Sequence, residues 1–362
     1  MMKTKITYKK VSTMLVGITM LVACSAEDPT PATVKGSPIR FTASVVDATE
    51  GTTRAYADAY NASFPDNTDI NVFLYGYPSS STTIYDLSEL QPTSGSSHKW
   101  IYTTSGEVDE ASGRSLLTQT SPAASEGQAA DAVLPSFPNE LNQDEDYVDV
   151  FAAFFPQGCS VSPTYDSILP STGSFTFSVQ TDQTTEANVK ASDFLSNDVT
   201  ATFKTNSSAI NLEMKHRMAK VLVVFNHTED LTSKNMPNTS DTYSVENVMT
   251  TLTVGLSPSS NTTGDISTTG TTTTITAKVG EPFFLPPQTI AKGTELLKFS
   301  LHDTTGSDTG IKDVTYSTSS DLTLREGVYY VLTLNVGVRY ITLTTTIKDW
   351  TDETLTFDKI IL

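Results

Sequence analysis

The chain has 362 residues with 41 acidic and 23 basic side chains, which give a formal net charge of −18 at pH 7. An acidic surface repels nucleic acids and anionic membrane surfaces, so we predict no nucleic-acid partner. Two cysteines are too few for a disulfide framework. At roughly 100–200 residues per domain, the length predicts two domains.

The N-terminus has the pattern of a lipoprotein signal peptide. Four lysines precede an apolar stretch, residues 11–21, which is too short to span a bilayer. The stretch runs into the lipobox Leu21-Val22-Ala23-Cys24. We predict that residues 1–23 are removed and that Cys24 carries a lipid anchor; the alternative is an ordinary signal peptide with a chance cysteine. Removal takes away four lysines and no acid, so the mature net charge becomes −22.

Apolar and polar residues alternate with a period of two along much of the remaining chain. The alternating segments are residues 39–45, 175–179, 210–214, 297–301 and 341–347. Such segments predict strands with one face on a core and the other face in water. Residues 221–225 are continuously apolar and predict a central strand. Since no segment has sustained helical periodicity, the predicted fold class is all-β with two β-sandwich domains.

Polar stretches divide the chain. Residues 78–97 and 105–130 are rich in small polar residues and are predicted to be loops. The polar stretch 197–208 is the predicted domain boundary. The predicted segments are a signal peptide, a lipid-anchored N-terminal segment, an N-terminal sandwich and a C-terminal sandwich, with the ranges 1–23, 24–54, 55–205 and 206–362.

The sequence carries none of the common signatures of enzymes and cofactor sites. The four histidines do not have metal-ligand spacing, and Cys159 has no histidine near it in sequence. Neither a nucleophile elbow nor a phosphate-binding glycine loop occurs. Carboxylates are plentiful, as in any acidic protein, so counting them does not settle the question of a glycosidase. We predict a protein that is not an enzyme, with no catalytic residues, no cofactor and no metal.

Several motifs resemble those of the fimbrillin superfamily of Bacteroidia and occur in the same order. They include a first strand followed by Thr-Arg-Ala, an aromatic strand ending in Pro, and a His-Arg-Met-Ala-Lys-Val run. These and the weaker matches lie at residues 39–45, 52–55, 68–73, 148–156, 192–195, 216–221, 287–289, 327–330 and 347–350. Asn71, where the family pattern has Gly, and the long loop 105–130 depart from the resemblance.

The resemblance implies a subunit of a type V pilus (fimbria) that supports adhesion and has a transthyretin-like second domain. It implies export as a lipoprotein to the cell outer membrane and cleavage by a trypsin-like protease. Assembly with other pilus subunits by strand exchange would follow, because cleavage frees a removable first strand within residues 24–54.

We predict cleavage between Arg54 and Ala55. This bond follows the first strand in a polar stretch that a protease can reach. Arg40 lies within the strand, and cutting at Arg114 would release no terminal strand, so both are poorer candidates. In an anchor subunit, Arg54 would stay uncut.

The C-terminal segment is unusually apolar. Leu355, Phe357 and Ile361 lie on one face of a predicted strand, with apolar Ile360 and Leu362 beside them. Such a face needs a cover. The cover is either the chain's own sheet or the groove left in a neighbouring subunit, in which case the segment is a donor strand. The sequence is compatible with both arrangements.

Two other functions share the lipobox and the β-sandwich pattern. A surface glycan-binding lipoprotein would keep its first strand and its lipid, and a monomeric adhesin would use its long loops for binding. The N-terminus of the protein recovered from cells distinguishes these from a processed pilus subunit.

Overall fold

The structure is built almost entirely from β-strands, which confirms the predicted all-β class. A computed structural model describes part of the chain, and all of the described residues belong to the unit Lys35–Leu362. The described residues are 40–46, 64, 68–77, 85–86, 99–102, 107–108, 114, 116–119, 147–162, 174–198, 200–203, 209–228, 231–256, 265–302 and 312–348.

The first half of the described chain contains twelve strands and one short helix. The strands are β1 (Phe41–Val46), β2 (Thr68–Tyr77), β3 (Tyr85–Asp86), β4 (Lys99–Tyr102), β5 (Thr118–Gln119), β6 (Tyr147–Phe154), β7 (Ser160–Ser162), β8 (Ser174–Ser178), β9 (Asp182–Gln183), β10 (Leu195–Ser196), β11 (Thr200–Phe203) and β12 (Ile210–His216). Helix α1 (Glu186–Lys190) begins after Thr185, whose hydroxyl accepts a hydrogen bond from the Asn188 amide.

The second half contains twelve more strands and a 3-10 turn at Ser233–Asn235. The strands are β13 (Ala219–His227), β14 (Thr242–Val248), β15 (Thr251–Gly255), β16 (Ile266–Thr269), β17 (Thr273–Lys278), β18 (Phe283–Leu285), β19 (Gln288–Ile290), β20 (Glu295–Leu301), β21 (Lys312–Ser317), β22 (Leu322–Leu324), β23 (Tyr329–Val336) and β24 (Ile341–Lys348).

The described strands form one large sheet and four smaller ones. The large sheet has the order β1-β12-β10-β6-β2-β4-β5, with β11 also pairing β6 and β3 also pairing β2. The smaller sheets have the orders β18-β13-β23-β24, β21-β20-β14-β17-β9, β16-β15-β8-β7 and β19-β22. In the large sheet, the β1–β12 pair is parallel and the other described pairs are antiparallel.

Strand β6 separates two hydrophobic clusters because its successive side chains point to opposite faces. Phe151 and Ala153 belong to the larger cluster, while Val150, Ala152 and Phe154 belong to the smaller one. All five side chains are buried. The alternation explains why this strand is apolar at every position from 150 to 154, as expected for a strand covered on both faces.

The larger cluster also joins two of the smaller sheets. Phe225 of β13 packs against Phe299 of β20 and Tyr243 of β14, with ring centroids 4.8 and 5.5 Å apart. Strand β13 lies between β18 and β23. The prediction of a central strand at residues 221–225 is therefore confirmed. The finer prediction of a transthyretin-like second domain stays a prediction.

The sheets cross the predicted domain boundary. Strand β11 lies inside the polar stretch 197–208 and pairs with β6. Strand β12 follows the boundary but belongs to the large sheet with β1 and β2, and β8 precedes it but pairs with β15. The division at residues 205 and 206 stays a prediction, and the observed pairing interleaves strands from both sides of it.

Candidate functional site

Strand β1 is the candidate functional element because of how it is held. Its residues pair in parallel with β12, from Phe41 opposite Ile210 to Val46 opposite Lys215. Parallel neighbours cannot be joined by a tight hairpin, so a long stretch of chain separates these two strands. Strand β1 is thus attached to its sheet through residues distant in sequence. A cut between β1 and β2 would leave it held by noncovalent contacts.

Both faces of β1 are buried. Phe41 is 0% and Ala43 is 5% exposed, as the alternating pattern predicts. Thr42 and Ser44 are also buried, at 1% and 9% exposure, so the prediction of a water-facing side is wrong for this strand. Contacts on both edges explain Thr42: its hydroxyl lies 3.1 Å from Asn211 Oδ1, and its backbone forms a bridge with Leu116.

A segment predicted to be a loop covers the outer edge of β1. The Leu117 amide donates to the Phe41 carbonyl at 2.8 Å, and Leu116 and Leu117 are both buried. The next residues form β5, which pairs with β4 at the other end of the large sheet. The sheet therefore nearly closes on itself at β1. The sequence signal for this contact was the apolar pair within an otherwise polar stretch, and the loop assignment of 105–130 missed it.

The strands of the large sheet and the connections between them supply the smaller hydrophobic cluster. Phe41 and Ala43 enter this cluster from β1, and Val45 packs against it. Their neighbours from the other strands and connections include Phe64, Ile70, Val72, Leu117, Leu195, Leu212 and Met214. Burial of a Phe side chain such as Phe41 stabilises the folded protein by about 1.5–3 kcal/mol. Removing β1 would lose this burial and would expose an apolar slot together with unpaired backbone groups.

Arg40 lies directly before β1, at the start of its pairing with β12. Its carbonyl accepts a 2.8 Å hydrogen bond from the Ile210 amide, and its side chain forms a 3.2 Å ion pair with Glu107. A protease needs an extended backbone free of such pairing. The geometry agrees with treating Arg40 as a poor cleavage site. Arg114 is exposed.

The other predicted site residues lie outside the described residues. These are Cys24, Arg54, Ala55, Leu355, Phe357 and Ile361. Lipidation, cleavage and the donor strand therefore stay predictions.

A buried arginine links the large sheet to the rest of the protein at the end of β12. Arg217 is 5% exposed; its Nε donates to Ser196 Oγ at 2.8 Å and its Nη2 to Asp198 Oδ1 at 2.7 Å. Its Nη1 reaches Glu326 Oε1 at 3.3 Å, just before β23. Ser196 and Asp198 lie on one segment and Glu326 lies on another, so Arg217 fixes the relative positions of the two segments. The sequence singled out the surrounding motif but not this role.

The carboxylate of Asp198 lies beside two cationic side chains, which change its pKa. Partial burial works to raise its pKa, but hydrogen bonds from Lys215 and Arg217 outweigh burial and hold the pKa below its usual range. Lys215 lies on β12, opposite Val46 of β1. The ionised Asp198 therefore supports the strand against which β1 is paired.

Within the described part of the chain, no three His, Cys, Asp or Glu side chains are close enough to hold a metal ion. His216 Nδ1 lies 2.9 Å from Asp193 Oδ1 in a buried pair. Burial raises the pKa of the half-buried Cys159 thiol to about 11, which suits a structural thiol and opposes a nucleophilic role. No described helix is long and apolar enough to cross a membrane.

Comparison with protein families gives a match over more than half of the chain. A family model for fimbrillin-like proteins matches residues 142–350. The matched range includes β6 and extends beyond β24. Among curated proteins, no match was found.

Three of the solved structures that are similar to this chain come from Bacteroides species. A Bacteroides ovatus protein assigned to cell adhesion is 15% identical with a TM-score of 0.52, covering 87% of this chain and 98% of its own. A Bacteroides uniformis protein with the same assignment is 16% identical with a TM-score of 0.49, covering 87% and 100%. A fimbrial protein of Bacteroides vulgatus is 13% identical with a TM-score of 0.38, covering 86% and 99%. Of these three, the Bacteroides ovatus protein has a TM-score above 0.5, and at 15% identity its likeness concerns the fold alone.

Proposed function

Because the chain belongs to the fimbrillin-like family, we propose that it is a structural subunit of a cell-surface type V pilus that supports adhesion. The family consists of structural proteins and not of enzymes, in agreement with the prediction from the sequence. In the proposed pathway, a lipoprotein precursor reaches the outer membrane, a trypsin-like protease cuts it, and the processed subunits join by strand exchange.

The observation that carries this proposal is the attachment of β1. The strand is buried on both faces, yet its neighbours in the sheet are residues 116–117 and β12, far along the chain. A single cut in the connection to β2 would convert it from a part of the chain into a bound peptide.

Release of β1 would create a site for another strand. The vacated slot would present the unpaired edge of β12 and the pocket now filled by Phe41. An incoming strand restores backbone hydrogen bonds and fills the pockets with alternate side chains. A contact in which one subunit gives a strand and the next receives it does not close on itself, so repetition produces a filament.

We assign the remaining steps to residues from the sequence. Cys24 carries the lipid, and the protease cuts between Arg54 and Ala55. The donor strand is the segment with Leu355, Phe357 and Ile361. Its alternating apolar row has the same period as the row that β1 presents to the smaller cluster.

N-terminal sequencing of pilus material released from cells tests the processing step. We expect assembled subunits to begin at Ala55. The Arg54→Ala variant should accumulate as an unassembled, lipid-bearing precursor, whereas the control Arg40→Ala should be processed normally. Assembled material that begins at Cys24 would contradict strand removal and favour an uncut surface lipoprotein.

Labelling with a fatty-acid analogue tests the anchor separately. The wild-type precursor should take up label and the Cys24→Ala variant should not. Equal labelling of the two proteins would contradict lipidation at Cys24 without bearing on strand exchange.

A further inference from the structure

A groove of about 560 Å³ lies between the ends of two sheets in the C-terminal half. One wall is β21, the first strand in the order of its sheet, and the other is the turn between β23 and β24, where β24 is the last strand of its sheet. The lining is mixed: apolar side chains such as Val314, Val338 and Ile341 lie beside polar and charged ones, Asp313, Thr315, Ser317 and Arg339.

The groove has features that a bound segment would satisfy. Val338 is 59% and Tyr340 is 56% exposed, both unusually high for large apolar side chains at one rim. Tyr316 also lines the groove, but its side chain is 5% exposed and belongs to the larger hydrophobic cluster. The exposed rim therefore consists of Val338 and Tyr340.

The strand beside the groove, β24, is the last of its sheet among the strands that the structure describes. Within the described residues, β24 pairs with β23 on one side and with no strand on the other. Thr342, Thr344, Thr345 and Thr346 are exposed, and Ile347 is 53% exposed. Residues 341–347 contain no charged side chain or proline, the usual protections of a sheet edge. This edge therefore has the chemistry of a surface that accepts another strand.

The chain itself supplies a segment of matching length and pattern. It leaves β24 at Lys348, and residues 349–353 are enough for a hairpin loop. Residues 354–362 would then run back along β24, with Leu355 opposite Ile347 and Ile361 opposite Ile341. In this register the apolar face of the segment lies on the same side as the half-buried Ile341 and Leu343 of β24.

We propose that residues 354–362 pair with β24 of their own subunit and that Ile361 and Leu362 occupy the groove. The same subunit is favoured over a second copy because a five-residue connection holds the segment at an effective concentration in the millimolar range. The inference rests on the proposed function in one respect: a segment stored in this way must leave β24 before it can serve as a donor strand.

A designed disulfide tests the register. The full chain carrying Cys24→Ala and Cys159→Ser receives Thr346→Cys and Thr356→Cys, which the register places opposite each other on the exposed face. The control pairs Thr346→Cys with Ile360→Cys, four residues or about 13 Å further along a strand. We expect the first pair to form an intramolecular disulfide at least tenfold faster than the control. Equal rates, or disulfides that form only between subunits, would overturn the proposal.

A substitution at the groove tests whether Ile361 and Leu362 occupy it. Val338→Asp places a charge at the apolar rim and should slow formation of the Thr346→Cys/Thr356→Cys disulfide at least fivefold. Ser320→Asp, at an exposed position outside the groove lining, is the matched control and should leave the rate unchanged. Thermal unfolding of both variants shows that the fold is intact. An unchanged rate in Val338→Asp would remove the groove from the proposal.

An assembly assay separates this inference from the proposed function. After cleavage at Arg54, the oxidised Thr346→Cys/Thr356→Cys protein should fail to polymerise until it is reduced. If it polymerises equally well when oxidised, the requirement for release is wrong and the donor strand comes from elsewhere. If no intramolecular disulfide forms while the protein polymerises normally, docking on β24 is wrong and the proposed function stands.

Discussion

The first and last described strands both end a sheet, but they are held in opposite ways. Strand β1 has no hairpin to its neighbour, and both of its faces are buried. Strand β24 is joined to β23 through a short turn, and most of its side chains are exposed. The strand with the long chain connection, β1, is thus the buried one, and the strand with the short connection, β24, is the exposed one. A strand with a long connection and deep burial is suited to removal and replacement, whereas an exposed hairpin strand is suited to receiving a partner.

The largest expected effect comes from charging equivalent threonines on the two strands. Thr42→Lys places an ammonium group at a position that is 1% exposed and should lower the free energy of unfolding by roughly 3–5 kcal/mol or prevent folding. Thr342→Lys, at an exposed position of β24, should change it by less than about 0.5 kcal/mol. Chemical denaturation of both variants measures the difference, and equal losses would contradict the contrast between the edges.

Truncation of one apolar side chain on each strand should give the next effect. Phe41→Ala removes a fully buried ring from the smaller cluster and should cost about 3–5 kcal/mol. Ile347→Ala removes a side chain that is 53% exposed and should cost no more than about 1 kcal/mol. The midpoints of chemical denaturation of the two variants measure this difference in stability. A small loss for Phe41→Ala would mean that the slot collapses readily when its occupant shrinks.

A third prediction concerns the short turn between β23 and β24, which contains Gly337. No such turn joins β1 to its neighbour β12. A Cβ atom at Gly337 would lie 2.7 Å from the Thr228 hydroxyl and 3.3 Å from the Tyr340 carbonyl. Gly337→Ala should therefore cost about 1–3 kcal/mol through overpacking. Thr228→Ala in the same protein should recover part of the loss, because the closest clash disappears. A double-mutant cycle by denaturant unfolding measures this coupling, and simple additivity would contradict it.

The smallest effect expected is a dependence on pH near β1. The folded pKa of Asp198 lies below its ordinary value, so its stabilising contribution is present above about pH 4 and is lost as the pH falls through the folded pKa. The side chain is 59% exposed, and screening by water keeps the contribution below about 1 kcal/mol. Asp198→Asn should reduce stability at pH 7 more than at pH 3. Asp265→Asn, at an exposed carboxylate, is the control; equal pH profiles would contradict the prediction.

Much of the strand content could be predicted from local sequence. The alternating residues 210–214 and 297–301 lie in β12 and β20, and residues 221–225 lie in the central strand β13. These assignments succeed because alternation and β-branched composition report which side of a strand is covered. The covering of Thr42 and Ser44 could not be predicted this way. A small hydroxyl side chain is equally suited to water and to a tight contact between strands, so its identity carries no signal about burial.

The sequence by itself determined the all-β class, the alternating apolar row of β1 and the resemblance to fimbrillins. These depend on side-chain chemistry at fixed spacing, which is readable along a single strand. Tertiary structure decided that β1 pairs in parallel with β12, that Leu116 and Leu117 close its outer edge, and that β24 is the last described strand of its sheet, beside a groove. Pairing between distant strands depends on which combination of edges buries the most apolar surface and satisfies the most backbone groups. That balance is a property of the whole assembled sheet and not of any one of its segments.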